Sequence, residues 1–64
     1  MIAIIESSNY QYTVKKKTKD VTHIGVIKKA DDTIVYNGLI FRDYEYWKNH
    51  FLEKGYKLLY EGKE

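Results

Sequence analysis

Residues 43–60, DYEYWKNHFLEKGYKLLY, carry the clear helical period of this chain, and its start and stop leave the rest few options. Asp43 is placed to accept hydrogen bonds from the free N–H groups of a helix start. Glu45 lies near the positive end of the helix dipole and Lys54 near the negative end. Gly55 supplies the left-handed residue that ends a helix cheaply, and Tyr56 follows as its apolar cap contact. At 3.6 residues per turn, Tyr44, Trp47 and Phe51 share one face, with Lys48 and Leu52 flanking it and Glu45, Asn49 and Glu53 opposite. The spacing predicts a helix over residues 43–54 with an aromatic face against a sheet, then a short C-terminal strand over residues 56–60.

The sheet is written in the first forty-one residues. Residues 2–5 are β-compatible and apolar, and Glu6, Ser7, Ser8 and Asn9 supply turn chemistry. Over residues 10–16, Tyr10, Tyr12 and Val14 alternate with Gln11, Thr13 and Lys15, the pattern of a strand with one wet face. A polar loop follows, and residues 21–29 resume as a strand with Ile24 and Val26 on one face and His23, Gly25 and Ile27 on the other. Ala30, Asp31 and Asp32 turn the chain, so residues 10–36 read as a three-stranded antiparallel meander. Asn37-Gly38 is either a two-residue hairpin turn or a bulge in a strand over residues 33–41, and the second is favoured because only Leu39, Ile40, Phe41 and Arg42 separate it from the helix cap at Asp43. Gly25, alone in a strand, suggests close approach of the helix at Trp47, or a bulge. Residues 62–64 are expected to fray. The predicted fold is α+β: one small domain over residues 1–64, an antiparallel sheet of four to five strands with one amphipathic helix on one face.

A chain of 64 residues buries only about 60% of the surface its unfolded form exposes. Chains this small usually lean on disulfides, metal or self-association, and no cysteine is present. Self-association, a homodimer, is therefore expected. The longest apolar run is residues 1–5, far short of the ~20 residues of a membrane span or the ~7–15 of a signal core. A cytoplasmic protein with no membrane contact is expected. The absence of proline and the heavy use of Lys, Ile, Tyr and Asn are similar in style to the small products of phages and mobile elements.

Catalytic chemistry has poor material here. The hydroxyls in a turn context are Ser7 and Ser8, the imidazoles are His23 and His50, and there is no Gly-x-Ser-x-Gly elbow. Asp31 and Asp32 read as a solvated loop, and one histidine on a strand with one on a helix lacks metal-ligand spacing. The four glycines are isolated, so no phosphate-cradling loop forms. A non-enzymatic protein with no cofactor and no metal is expected.

Two binding chemistries remain. Lys15, Lys16, Lys17 and Lys19 form a basic hairpin tip, with Lys28 and Lys29 at the opposite end of the hairpin and Tyr10, Tyr12 and His23 between. A three-stranded sheet backed by one helix is similar in element order to integrase N-terminal and plant ethylene-response DNA-binding domains, which lay the sheet in the major groove. Those families carry strand arginines, whereas the sole arginine here is Arg42, and lysine does not replace a bidentate reader of guanine.

Against this stand seven tyrosines and one tryptophan, more ring area than one helix face and one sheet face hide. Tyr46 and His50, on adjacent helix turns, and Tyr10 and Tyr12 are the candidate partner-binding residues, because such rings bring large amphipathic area at small entropic cost. Trp47 and Phe51 are assigned to the core. Both parities of residues 1–5 are apolar, so this segment is either a central strand covered on both sides or an edge that pairs with another chain. The leading expectation is a small intracellular protein-binding module that regulates or inhibits a larger protein. The alternative is nucleic-acid binding through Lys15, Lys16, Lys17, Lys19 and Lys28.

Overall fold

The computed structural model describes residues 1–63. Five strands, β1 (Ile2–Glu6), β2 (Tyr10–Lys16), β3 (Thr22–Lys28), β4 (Ile34–Ile40) and β5 (Lys57–Gly62), and one helix, α1 (Tyr44–Glu53), follow in the order β1-β2-β3-β4-α1-β5. The strands form one sheet, β4-β3-β2-β1-β5, with every neighbouring pair antiparallel. The arrangement is α+β, as the sequence predicts. Short turns make β1 to β4 a meander, and α1 then carries the chain back across the sheet so that β5 pairs with β1 at the far edge.

Local chemistry explains the turns. Between β1 and β2, the Ser7 N–H donates to the Tyr10 carbonyl at 2.9 Å and the Tyr10 N–H donates to Ser7 Oγ at 3.2 Å. Between β3 and β4, the Thr33 N–H donates to an Asp31 carboxylate oxygen at 3.1 Å, and Asp32 takes the left-handed region at φ 60°.

The helix ends divide. Gly55 closes α1 at φ 86°, its N–H donating to the Leu52 carbonyl at 3.0 Å. Asp43 holds the N-cap position with extended backbone, yet its carboxylate makes no capping bond, contrary to expectation. The start of α1 is held by other contacts: Thr22 Oγ1 donates to the Arg42 carbonyl at 2.7 Å, and the Tyr44 hydroxyl donates to Glu61 at 2.7 Å. Thr22 is fully buried, so its hydroxyl must be satisfied internally, and the connection before the helix satisfies it.

The core lies between α1 and one face of the sheet. Ala3, Ile5, Val14 and Ile24 supply the sheet side and Tyr44 and Phe51 the helix side, all buried. Trp47 packs on this core half-buried.

Asn37-Gly38 lies inside β4, as the favoured reading of a strand over residues 33–41 has it, with Asn37 opposite Gly25 and Gly38 opposite Ile24; the alternative hairpin turn is not formed. The bulge in β4 falls instead at Val35, because Ile27 pairs with Ile34 while Val26 pairs with Tyr36. Gly25 faces away from the helix, and a Cβ there meets only the Thr13 Cβ, at 3.9 Å. Of the two readings of residues 1–5, the central strand holds and the edge does not, since β1 is hydrogen-bonded to β2 on one side and β5 on the other, although the helix covers one of its faces and not both. Gly62, expected to fray, pairs with Ile2 in β5, while Glu64 lies outside the described residues. β5 also carries a bulge, at Leu59, which breaks the simple alternation of that strand.

Candidate interaction surfaces

Strand alternation and a single helix leave the molecule with one dry sheet face and one open face. Toward α1 point Ala3, Ile5, Tyr12, Val14, Thr22 and Ile24; residues of the other parity have no element over them. Those residues are mixed, with Gln11, Thr13, Lys15, His23 and Asn37 polar among the apolar ones. Ile2, Ile4 and Ile27 run half-buried across the middle of the open face, and Ile34, Leu39 and Tyr60 extend it to the edges at 64%, 60% and 50% exposure. Gly25 leaves a gap among them. A shallow depression of about 240 Å³ forms there, lined by Ile2, Thr13, Lys15, His23 and Ile27 beside the glycine.

The helix carries a second surface, made of stacked rings. The Arg42 guanidinium sits 3.9 Å from the Tyr46 ring centroid, and Tyr46 lies nearly parallel to His50 at 6.1 Å. Trp47 meets both rings edge-on, at 5.3 Å each. Because i, i+4 positions on a helix are neighbours, Tyr46 and His50 meet as their spacing predicts. Trp47 Nε1 is buried with no hydrogen-bond partner among the described residues, a desolvation cost that the packing of its ring must offset.

The other candidate pair sits differently. Tyr12 is half-buried under the helix, stacked on Phe51 at 4.5 Å and on Tyr56 at 5.4 Å. It belongs to the core margin. Tyr10, 6.4 Å from Tyr12 and tilted to it, borders an open cleft of about 650 Å³ at one end of the sheet, between the β1–β2 turn and the chain after α1. The four rings are thus linked through Phe51, which lies 5.4 Å from His50, but only Tyr46 is exposed.

The lysines do not make one patch. Lys16, Lys17 and Lys19 are exposed around the β2–β3 turn, and Lys15 lies half-buried on the open face opposite Ile2 and His23. Lys28 pairs with Tyr10 at the other end of β3, six residues away along the strand or about 20 Å. Its neighbour Lys29 is bound to Glu6 at 3.0 Å. Tyr10 and Tyr12 moreover point to the helix side, away from Lys15.

Glu61 was not singled out by the sequence, yet it joins β5 to α1. Its carboxylate accepts from the Tyr44 hydroxyl at 2.7 Å and from Lys48 Nζ at 2.9 Å, and Lys48 also reaches Glu45 at 3.4 Å. The Tyr44 hydrogen bond, then Lys48, hold the Glu61 carboxyl below its ordinary value. Burial first, and Glu61 second, push the Tyr44 phenol up, and the bond to Glu61 raises Lys48. Its sequence signal was faint: an acidic residue in a strand read as ending at residue 60.

Among the described residues no group of three or more His, Cys, Asp or Glu side chains is placed to hold a metal ion, and no helix is long and apolar enough to cross a membrane. No protein-family profile matches the sequence, and comparison with curated proteins and with solved structures finds no significant match.

Proposed function

We propose that this chain is a small, non-enzymatic, cytoplasmic protein-binding module that regulates or inhibits a larger protein and that also self-associates. One observation carries the reading. The sheet wears a helix on one face only, and the side chains left on the other, Ile2, Ile4, Ile27, Ile34, Leu39 and Tyr60, are those a contact surface needs. The ring stack of Arg42, Tyr46 and His50 offers a second, more polar contact on the opposite side of the molecule.

Immobilised protein tests this in a cell extract. Wild-type protein and the Tyr46→Ala/His50→Ala double variant are expected to retain the same partner, while Tyr60→Lys, which places a charge on the open face, loses it. Equal recovery by wild type and Tyr60→Lys rejects the open face.

The exposure of Lys16, Lys17 and Lys19 at one end of the sheet supports a second reading, phosphate contact with a nucleic acid. Such contacts make log affinity fall linearly with log salt, by about 0.9 per phosphate neutralised on a duplex. A salt titration of nonspecific DNA and RNA binding separates the readings, and no binding at low salt removes the second.

A further inference from the structure

The two edges of the sheet are unlike. At β5 the strand is broken in its middle by the Leu59 bulge, and Lys57 and Glu61 stand on either side of it. Charges and bulges are the devices that blunt an edge against further pairing. At β4 there is little of this. Ile34–Ile40 reads IVYNGLI and carries no charge, its bulge lies at Val35 near one end, and Ile34, Val35, Tyr36 and Leu39 are 44% to 64% exposed. β4 pairs only with β3, so its other side presents unpaired backbone donors and acceptors.

Run antiparallel to itself, the middle of β4 matches a large ring with a glycine. Laid antiparallel on a second copy about Asn37, it sets Tyr36 against Gly38, both on the helix side, and Asn37 against itself on the open face, while the Val35 bulge shifts the register beyond them. The Tyr36–Gly38 match has a precedent within the chain, where a Cβ on Gly38 would come within 3.1 Å of the Tyr36 hydroxyl, so the ring already covers that glycine. The ends also complement each other in charge. Antiparallel pairing brings the acidic turn at Asp31 and Asp32 of one copy beside Arg42 of the other, and the two-fold axis repeats the contact.

We propose that β4 pairs with β4 of a second copy, joining two five-stranded sheets into one continuous ten-stranded sheet. Both helices then lie on the same side, and the open faces merge into a single surface twice as wide. The inference rests on the binding reading only for self-association, because the β4 edge and the open face are separate surfaces.

The chain has no cysteine, so one can be placed at will. Directly opposed residues of an antiparallel pair have Cα atoms about 4.5–5.5 Å apart, within disulfide reach, whereas sheets packed face to face are about 10 Å apart. Under mild oxidation Asn37→Cys is expected to convert to a covalent dimer, while Leu59→Cys on the opposite edge stays monomeric. Val35→Lys, which puts a charge on the paired edge, is expected to shift the sedimenting species from dimer to monomer with the helix signal unchanged. Asn37→Cys that crosslinks no more than Leu59→Cys, or wild-type protein that sediments as a monomer at the crosslinking concentration, overturns the proposal. Either failure leaves partner capture through the open face standing, just as loss of that capture leaves the edge pairing standing.

Discussion

Gly55 and Gly25 are both lone glycines in the sequence, and the structure gives them opposite tolerances. Gly55 sits at φ 86°, where an L side chain is strained whatever the space around it. Gly55→Ala is expected to lower stability by about 1 kcal/mol, read as a shift in the denaturant midpoint with unchanged slope. At Gly25 an added methyl meets only Thr13 at ordinary contact distance. Since glycine in a strand costs backbone entropy, Gly25→Ala is expected to be neutral or to stabilise by up to ~1 kcal/mol. A large loss in that variant would mean that a backbone or side chain approaches there after all. The role of Gly55 was legible because a helix stop is a local event, written in the residues on either side. Gly25 was misread because its face depends on which side of the sheet the helix takes, and that is decided by residues 20 positions and more away. Thr22 and Glu61 escaped for the same reason: their partners, Arg42 and Tyr44, are distant in sequence.

Among the elements, α1 was the most legible, since an aromatic stripe at helical spacing between Asp43 and Gly55 admits one answer. β4 was less so. Asn-Gly is the strongest short hairpin signal, and here the neighbouring register overrides it, with Ile24 and Gly25 of β3 holding both residues in the ladder. The pairing of β5 with β1 was not written locally at all; it follows from α1 spanning the sheet.

The tie between α1 and β5 makes a pH prediction. The Glu61 carboxyl is depressed in the fold, so its stabilisation is complete above its ordinary value of 4.5 and is lost as pH falls through the lower folded value. Tyr44 and Lys48 are raised, so theirs is complete below about 10 and is lost as pH rises further. Unfolding midpoints are expected to be flat between these limits and to fall on both sides. Glu61→Gln should cost about 1–3 kcal/mol at neutral pH, the worth of hydrogen bonds to a charged group, and should make the acid limb shallower. An acid limb as steep as that of the wild type would show that other carboxylates control it.

At the scale of the whole molecule, a sheet of five strands with one helix has a single interior. The sequence announced the surplus of apolar surface through the double parity of residues 1–5 and the count of tyrosines. It did not reveal where that surplus would lie, because β1 proved central and the exposed side chains gathered on the open face and along β4. Tyr12, offered as a contact residue, lies under the helix between Phe51 and Tyr56, while Tyr46 is exposed with the half-buried His50 stacked beside it. Ring count predicts exposure in total, and sheet order decides which rings it falls on.

The most direct test maps contact onto side chains. With the methyl groups labelled, NMR broadening by a soluble paramagnetic agent is measured for the protein alone and then bound to the partner it captures. The account predicts that the methyls of Ile2, Ile4 and Ile27 are broadened in the free protein and protected in the complex, while those of Ile5, Val14 and Ile24 are protected throughout. Open-face methyls that stay broadened in the complex, with Tyr46 and His50 protected instead, would contradict it.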